Sequence, residues 1–502
     1  MVRRLEELRQ PESKWDRLAF QAAGSYLADK IAWYKAGDHL RDLDSIASEA
    51  QTIVDIFDHM DKSTVEGWTN ICTRLGSMVT VLDGYRESLA QGIEKGLTVA
   101  KRQVTTVAEQ SRVAGSDDSP FETLPSELAE SDVDRADLPP RLAAAVAHAR
   151  AAQTAFGEWL LETYLPHAVD DDAVGRERYV RSARRFLGMA IDPEATSAWG
   201  WEEVARLRAR MERVADEISA GATIPEALQI LKTDPARAAA NRDEFITFME
   251  ERNAIALEKL EGSHFDVPES IRRVDVKLAK PGGPLGAYYV GPSEDYTRSG
   301  AVWWSHGDNQ GPFPLYDEVS TLYHEGFPGH HLQVGTQLTS ADNLSRFHRL
   351  FVWYPGLGEG WALYAELLME QMGFLDKPDY VFGFLSAQML RACRVVIDIG
   401  SHLRLTIPEG QPFHPGEEWS FEIGVEMLQQ YATLEKRYAE SEMTRYLGWP
   451  GQAIAYKVGE REILDIRANL EARGGFDAKK FHADLLEIGP VGLEVVRDLL
   501  LD

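Results

Sequence analysis

Tyr323-His324-Glu325-Gly326-Phe327-Pro328-Gly329-His330-His331-Leu332-Gln333 lies between two stretches of helical pattern and interrupts both. Pro328 has no amide hydrogen and clashes with the carbonyl one turn back, so a regular helix cannot run through it. Gly326 and Gly329 give the backbone freedom to leave helical geometry on either side. On an unbroken helix His330 would point away from His324. His331 would share its face, but about two turns on, ~10 Å away. If two residues loop out, the segment becomes effectively His-Glu-x-x-His, with His330 as the second histidine. Choosing His331 requires looping out three. The smaller distortion favours His330, with His331 left as the alternative.

Outward from this stretch the pattern is helical. From about Pro11 to Val113, segments such as Lys14 to Trp33 and Thr64 to Leu89 space apolar residues by three and four. The pattern resumes in Arg141 to Tyr164, Trp199 to Ala220, Pro225 to Leu231 and Arg242 to Leu260. It fills the chain again from Pro314 to the closing Ala478 to Leu501. Strand character is confined to 271–304. There Val274 to Leu278, Ala287 to Val290 and Ala301 to Trp304 are short β-branched and aromatic runs separated by Pro and Gly. The expected fold class is mostly α, a multi-helix architecture with one small antiparallel sheet beside the cleft. Gly115 to Pro140 is acidic, serine-bearing and closed by Pro139-Pro140, which predicts an exposed linker. The expected organisation is an N-terminal helical region 1–114, a linker 115–140 and a main helical region 141–502.

A length of 502 residues predicts two or three sub-domains. The net charge of -27 repels phosphate backbones and anionic headgroups, so neither nucleic acid nor membrane is an expected partner. The two cysteines, Cys72 and Cys393, form no CxxC pair and read as buried free thiols of a reducing compartment. Met1 to Leu8 carries positive charge without an apolar stretch behind it, unlike a signal peptide. No run of roughly 18 apolar residues stands out, so a spanning helix is not expected and the chain reads as cytoplasmic.

The residue types in the quoted stretch are those of a metal site. Its His-Glu start resembles the helix of zinc peptidases in which two histidines bind the ion and the intervening glutamate, here Glu325, acts as base. A third ligand should be a carboxylate on a following helix. Gly358-Glu359-Gly360-Trp361-Ala362-Leu363-Tyr364-Ala365-Glu366 supplies it, and resembles the Asn-Glu-Gly-Phe-Ala type of third-ligand helix. Glu359 is then the ligand. Glu366, two turns on along the same face, could orient a ligand histidine from behind, as could His331.

With these motifs the chain resembles the bacterial family known as domain of unknown function 885, whose signature is His-Glu-x-x-Pro-Gly-His. Arg394 to His402, Arg445-Tyr446 and Pro450 to Gly459 agree with it, as does the segment Arg298-Ser299-Gly300-Ala301, where the family pattern has Arg-Pro-Gly. That family is similar to helical zinc peptidases of the angiotensin-converting and thermostable carboxypeptidase type. The resemblance implies one Zn2+ per chain on His324, His330 and Glu359, and hydrolysis of peptide bonds in short or unfolded peptides. A tyrosine donor to the oxyanion is implied too, with Tyr446 the first choice and Tyr456 the second.

Arg445, Gln452 and Lys457 could grip a peptide backbone or terminal carboxylate. His402, with Asp398 one turn before it, could bind substrate or support the site. The strand Ala301 to Trp304 offers an edge for an extended substrate, and the N-terminal helices are expected to cover the cleft. Two other functions stay open at this level. One is a non-catalytic zinc-containing helical protein that binds peptides or a partner; the other is a zinc amidase on a non-peptide amide. Scissile-bond preference, exo- or endo-cleavage, native metal and oligomeric state are not legible.

Overall fold

The computed structural model describes residues 13–279, 286–307 and 309–501. The reading of Met1 to Leu8 lies outside them. The described chain is mostly α, with two small sheets.

Its helices bury two apolar clusters. The smaller comes from the Val65–Gly76, Met78–Glu94, Lys101–Gly115 and Leu138–Trp159 helices, where Trp68, Leu75, Leu89, Val107 and Phe156 meet. The segment expected as a linker belongs to this core. Pro120–Thr123 and Leu124–Glu130 are helical, and Phe121, Leu124 and Leu128 are buried in the cluster. Acidic composition masked three apolar residues at helical spacing. The core also runs on to Ala168, so the chain does not divide at 114.

The larger cluster gathers the helices of the later chain, and the first one too. Lys14–Lys35, capped by the Ser13 hydroxyl on the amide of Asp16, buries Leu18 and Ala22 there. Its Asp29 is tied to the main body, accepting from the Tyr354 hydroxyl at 2.9 Å and from Arg184 at 3.2 Å. The N-terminal helix is thereby fixed over the part of the molecule that carries the motif. Pro378–Leu403 runs through the same core and is long and apolar enough to cross a membrane by composition, contrary to the expectation from sequence. Most of that apolar stretch is packed inside the protein, and Val395, Val396, Ile397 and Ile399 are fully buried.

Five strands are described: β1 (Ala238–Ala239), β2 (Val274–Leu278), β3 (Gly286–Val290), β4 (Gly300–Ser305) and β5 (Phe313–Pro314). β1 and β5 form a two-residue antiparallel pair. The other three order as β2-β4-β3, with β4 antiparallel to β3 but parallel to β2. The expected antiparallel sheet is therefore mixed. Because β4 is the central strand and is paired on both sides, it offers no free edge for strand addition by a substrate.

Candidate metal centre

The first motif helix, Glu318–Glu325, stops at Gly326, and a second begins at His330 and runs to Thr339. The chain is thus broken into two helices, rather than bulged within one as the sequence predicted. The break is fixed from several directions. Asn253 Oδ1 accepts from the Phe327 amide at 3.1 Å, and the Trp361 indole donates to the carbonyl of Pro328 at 3.0 Å. A Cβ at Gly329 would lie 1.9 Å from the His324 carbonyl oxygen, so the backbone crosses there only because that side chain is missing.

This crossing brings the His324 and His330 rings to 5.0 Å between centroids, nearly perpendicular. Glu359 arrives from the Pro355–Gln371 helix, which packs against the Ala455–Ala472 helix at glycine contacts: a Cβ at Gly360 would lie 2.5 Å from the Gly459 backbone. One Glu359 oxygen, Oε2, is 3.4 Å from His324 Nε2 and 3.5 Å from His330 Nε2. The three ligand atoms lie within 4.8 Å of one another. Those distances are long for hydrogen bonds to a carboxylate. They match two atoms each ~2.0–2.1 Å from one shared ion at a tetrahedral angle, which are about 3.3–3.4 Å apart.

The ring of His324 is oriented from behind. Its Nδ1 donates to Glu366 Oε1 at 2.7 Å, and Ser320 donates to the other oxygen of the same carboxylate. That bond leaves His324 Nε2 facing Glu359. Burial opposes charge on His324, but Glu359 and Glu366 outweigh it and hold the ring up at about 10. His330 is raised too: burial opposes its charge, and Glu359 beside it prevails. The same imidazoles hold the Glu359 carboxyl well below the usual range, against its burial. The cluster is thus an acid-rich pocket that draws positive charge onto its imidazoles. Glu325, at the helix end, makes no hydrogen bond or ion pair among the described residues. Burial raises its carboxyl, with His324 and His330 pulling the other way.

His331 is turned away from this group. Its Nε2 donates to the Ile271 carbonyl at 2.7 Å and its Nδ1 accepts from the Tyr289 hydroxyl at 2.9 Å. It ties the second motif helix to the sheet, and neither ligates nor supports a ligand.

The other expected residues divide. Tyr446 is buried, donates to Glu442 at 2.6 Å and accepts from Arg394 at 2.9 Å, so its hydroxyl is committed. Arg445 is spent on Glu442, at 3.0 and 2.9 Å, and on the Gln452 side-chain oxygen. Lys457 is buried among Gln388, Glu460 and Glu203 beside a separate cavity of about 610 Å³. His402 is fully buried, with Nε2 on the Tyr446 carbonyl at 3.0 Å. Asp398 is fully buried as well, accepting from the Tyr179 hydroxyl at 2.7 Å and the Gly451 amide at 3.0 Å. These groups are committed to one another and hold helices together, although Lys457 and Gln452 each also line a cavity. Polar residue types looked alike in sequence whether they faced the cleft or each other.

Tyr456 is the exception. Its hydroxyl has no hydrogen-bond partner among the described residues, and it is close enough to Glu359 for that carboxylate to raise its pKa, second only to burial. The preference for Tyr446 over Tyr456 is therefore reversed. Arg391 was not singled out in sequence. It sits 5.8 Å from the Tyr456 ring centre and acts electrostatically on Glu325, with its buried Nε unpartnered. Its position three residues before Arg394 carries no motif that could have flagged it. Both cysteines are free and buried, as expected.

The fold and this cluster define a mostly helical protein with two small sheets, one of them mixed, and a His/His/Glu group whose histidines are buried. Residues 1–500 match the family described as bacterial protein of unknown function, domain of unknown function 885, and the chain belongs to it. Among curated proteins none matches. Two solved structures are similar in fold. A candidate lipoprotein from Colwellia psychrerythraea shares 22% identity at a TM-score of 0.80, over 92% of this chain and 80% of that one. A candidate lipoprotein of unknown function from Shewanella oneidensis shares 16% identity at a TM-score of 0.74, over 100% of this chain and 90% of that one.

Proposed function

We propose that the protein is a zinc-dependent peptidase acting on short or unfolded peptides. The observation that carries this reading is the spacing of three ligand atoms around one point, with an uncommitted glutamate, Glu325, next in sequence to the first ligand. The donor set fits the ion: two buried imidazoles, both with Nε2 toward one carboxylate oxygen, and an acid behind the first. A zinc ion held by His324, His330 and Glu359 would polarise the scissile carbonyl and lower the pKa of a water.

Around that chemistry the chain's own groups divide the work. Glu366 fixes the His324 tautomer. Glu325 takes a proton from the attacking water as its oxygen bonds to the carbonyl carbon, then passes it to the amine nitrogen as the carbon–nitrogen bond breaks. The raised carboxyl of Glu325 suits both halves of that transfer. Tyr456 donates its free hydroxyl to the oxyanion, and Arg391 adds positive charge on the same side. A site serving only structure would have no use for an unpaired base and would close with a fourth protein ligand.

The test is hydrolysis of a mixed peptide library by zinc-loaded and chelated protein, with Glu325→Gln alongside. Zinc-dependent cleavage that Glu325→Gln lowers by at least about 10²-fold is expected. Equal rates with and without metal, or an unaffected Glu325→Gln protein, would overturn the reading.

A further inference from the structure

A cavity of about 330 Å³ opens onto Glu359, and its other wall comes from the N-terminal helix. That volume is at the small end for ligand sites and suits a residue or two of peptide. Lys30 and Arg185 both line it, as do Tyr26, Trp353 and Gln452. The two cations are half-buried on the same cavity, and after burial Arg185 is the largest influence lowering the Lys30 pKa. Neither has a carboxylate within ion-pair distance among the described residues. Their ring neighbours are aromatic, with Lys30 5.6 Å from the Tyr26 centre and Arg185 4.9 Å from that of Trp33.

Two of the three acids nearby are engaged elsewhere. Asp29 accepts from Tyr354 and Arg184. Asp44 accepts from the amides of Ile46 and Ala47. Asp42, raised to about 6 by its burial, is acted on by Arg185 and Lys30 but is within ion-pair distance of neither. Two cations lining one cavity, with no carboxylate in ion-pair contact among the described residues, form a place for an anion, and the planar fork of Arg suits a carboxylate.

Asp29, already held by Tyr354 and Arg184, and Glu359 also line the cavity, and the rest of its wall is largely aromatic. Phe186 and Trp449 pack edge to face at 5.1 Å. The Trp353 ring lies against Gly358, where a Cβ would come within 2.5 Å of it, directly before the ligand Glu359. Trp353 is 41% exposed, unusually open for an indole flanking a buried group. Cations and aromatic surface in one small cavity ask for a carboxylate and an apolar side chain carried by the same residue.

We propose that Lys30 and Arg185 bind the free C-terminal carboxylate of a short peptide whose last side chain is apolar, with Tyr26, Phe186, Trp353 and Trp449 around that side chain. This rests on the peptidase reading and sharpens it to removal of C-terminal apolar residues. Arg445 and Lys457, the cations expected from sequence to do this, are committed elsewhere.

The test measures binding of benzoyl-glycyl-phenylalanine and of its C-terminal amide to the full zinc-loaded chain carrying Glu325→Gln, by calorimetry. The acid should bind roughly tenfold or more tightly than the amide, as expected for a charged hydrogen-bonded pair. Adding Lys30→Gln and Arg185→Gln should reduce that preference to about threefold or less, leaving affinity for the amide in place. The charge-keeping pair Lys30→Arg and Arg185→Lys should retain it, which separates lost charge from lost folding. Equal binding of acid and amide, or a preference that survives the glutamine pair, would overturn the proposal. Wild-type turnover of the acid is read separately: binding as expected without turnover counts against the peptidase reading alone, and turnover without acid preference counts against this subsite alone.

Discussion

Glu366 Oε1 accepts the Nδ1 proton of His324 across 2.7 Å, with both side chains buried. A carboxylate placed there keeps one tautomer and aims Nε2 at Glu359. Glu366→Gln retains the shape but weakens that preference. Zinc affinity should fall about 10–100-fold, measured by competition with a chromophoric chelator. An unchanged affinity would mean that the ring is oriented by packing alone.

The two adjacent histidines should behave differently. His330→Ala should abolish stoichiometric zinc binding. His331→Ala should leave one zinc per chain but strand the Ile271 carbonyl and the Tyr289 hydroxyl, lowering stability by about 1–3 kcal/mol. Metal analysis after dialysis, with denaturant titration of each protein, separates the two. The opposite pattern would move the ligand to His331.

The two tyrosines also part. Tyr456→Phe should lower kcat by about 10²-fold or more with little change in KM if its hydroxyl has the proposed role, since it makes no hydrogen bond to the fold among the described residues. Tyr446→Phe should act mainly through stability, since it leaves Arg394 and Glu442 short of a partner. Steady-state kinetics and thermal melts on both proteins decide the matter.

Asp398 gives a pH signature. Burial raises its carboxyl to about 7 in the folded protein, against ~3.9 unfolded. An acid that holds its proton more tightly when folded favours the fold below the unfolded pKa. It loses that advantage as pH rises through the window, about 4 to 7, and above it the penalty is constant. Asp398→Asn can place its oxygen where Oδ2 accepts from Tyr179 and Gly451, and its amide where Oδ1 has no partner. Wild type should therefore lose stability relative to Asp398→Asn from about pH 4 to about pH 7, with little further change above. Parallel denaturation profiles would contradict this.

Much of the helical pattern was legible because apolar spacing reports burial whatever the tertiary context. The candidate site was legible for a different reason. His324, Glu325, His330 and Glu359 sit in motifs whose residue types are tied to chemistry, and Pro328 with Gly329 announces a broken helix. The form of that break was less visible. A bulge and a restart at His330 satisfy the same residues, and the choice rests on Trp361 and Asn253, distant in sequence. Phe121, Leu124 and Leu128 were hidden by acidic neighbours, and the parallel pairing of β2 with β4 by the strand between them. Charged groups were hardest. Arg445 and Lys457 look no different in sequence from Lys30, Arg185 or Arg391, and only the fold separates cations that face acids from cations that face a cavity.

The most direct test is diffraction from zinc-soaked crystals of the full chain, collected on both sides of the zinc absorption edge. One anomalous peak per chain is expected, ~2.0–2.2 Å from His324 Nε2, His330 Nε2 and a Glu359 oxygen, with no fourth protein ligand. A peak closed by a fourth side chain, a peak held by other residues, or no peak at these three would contradict the account.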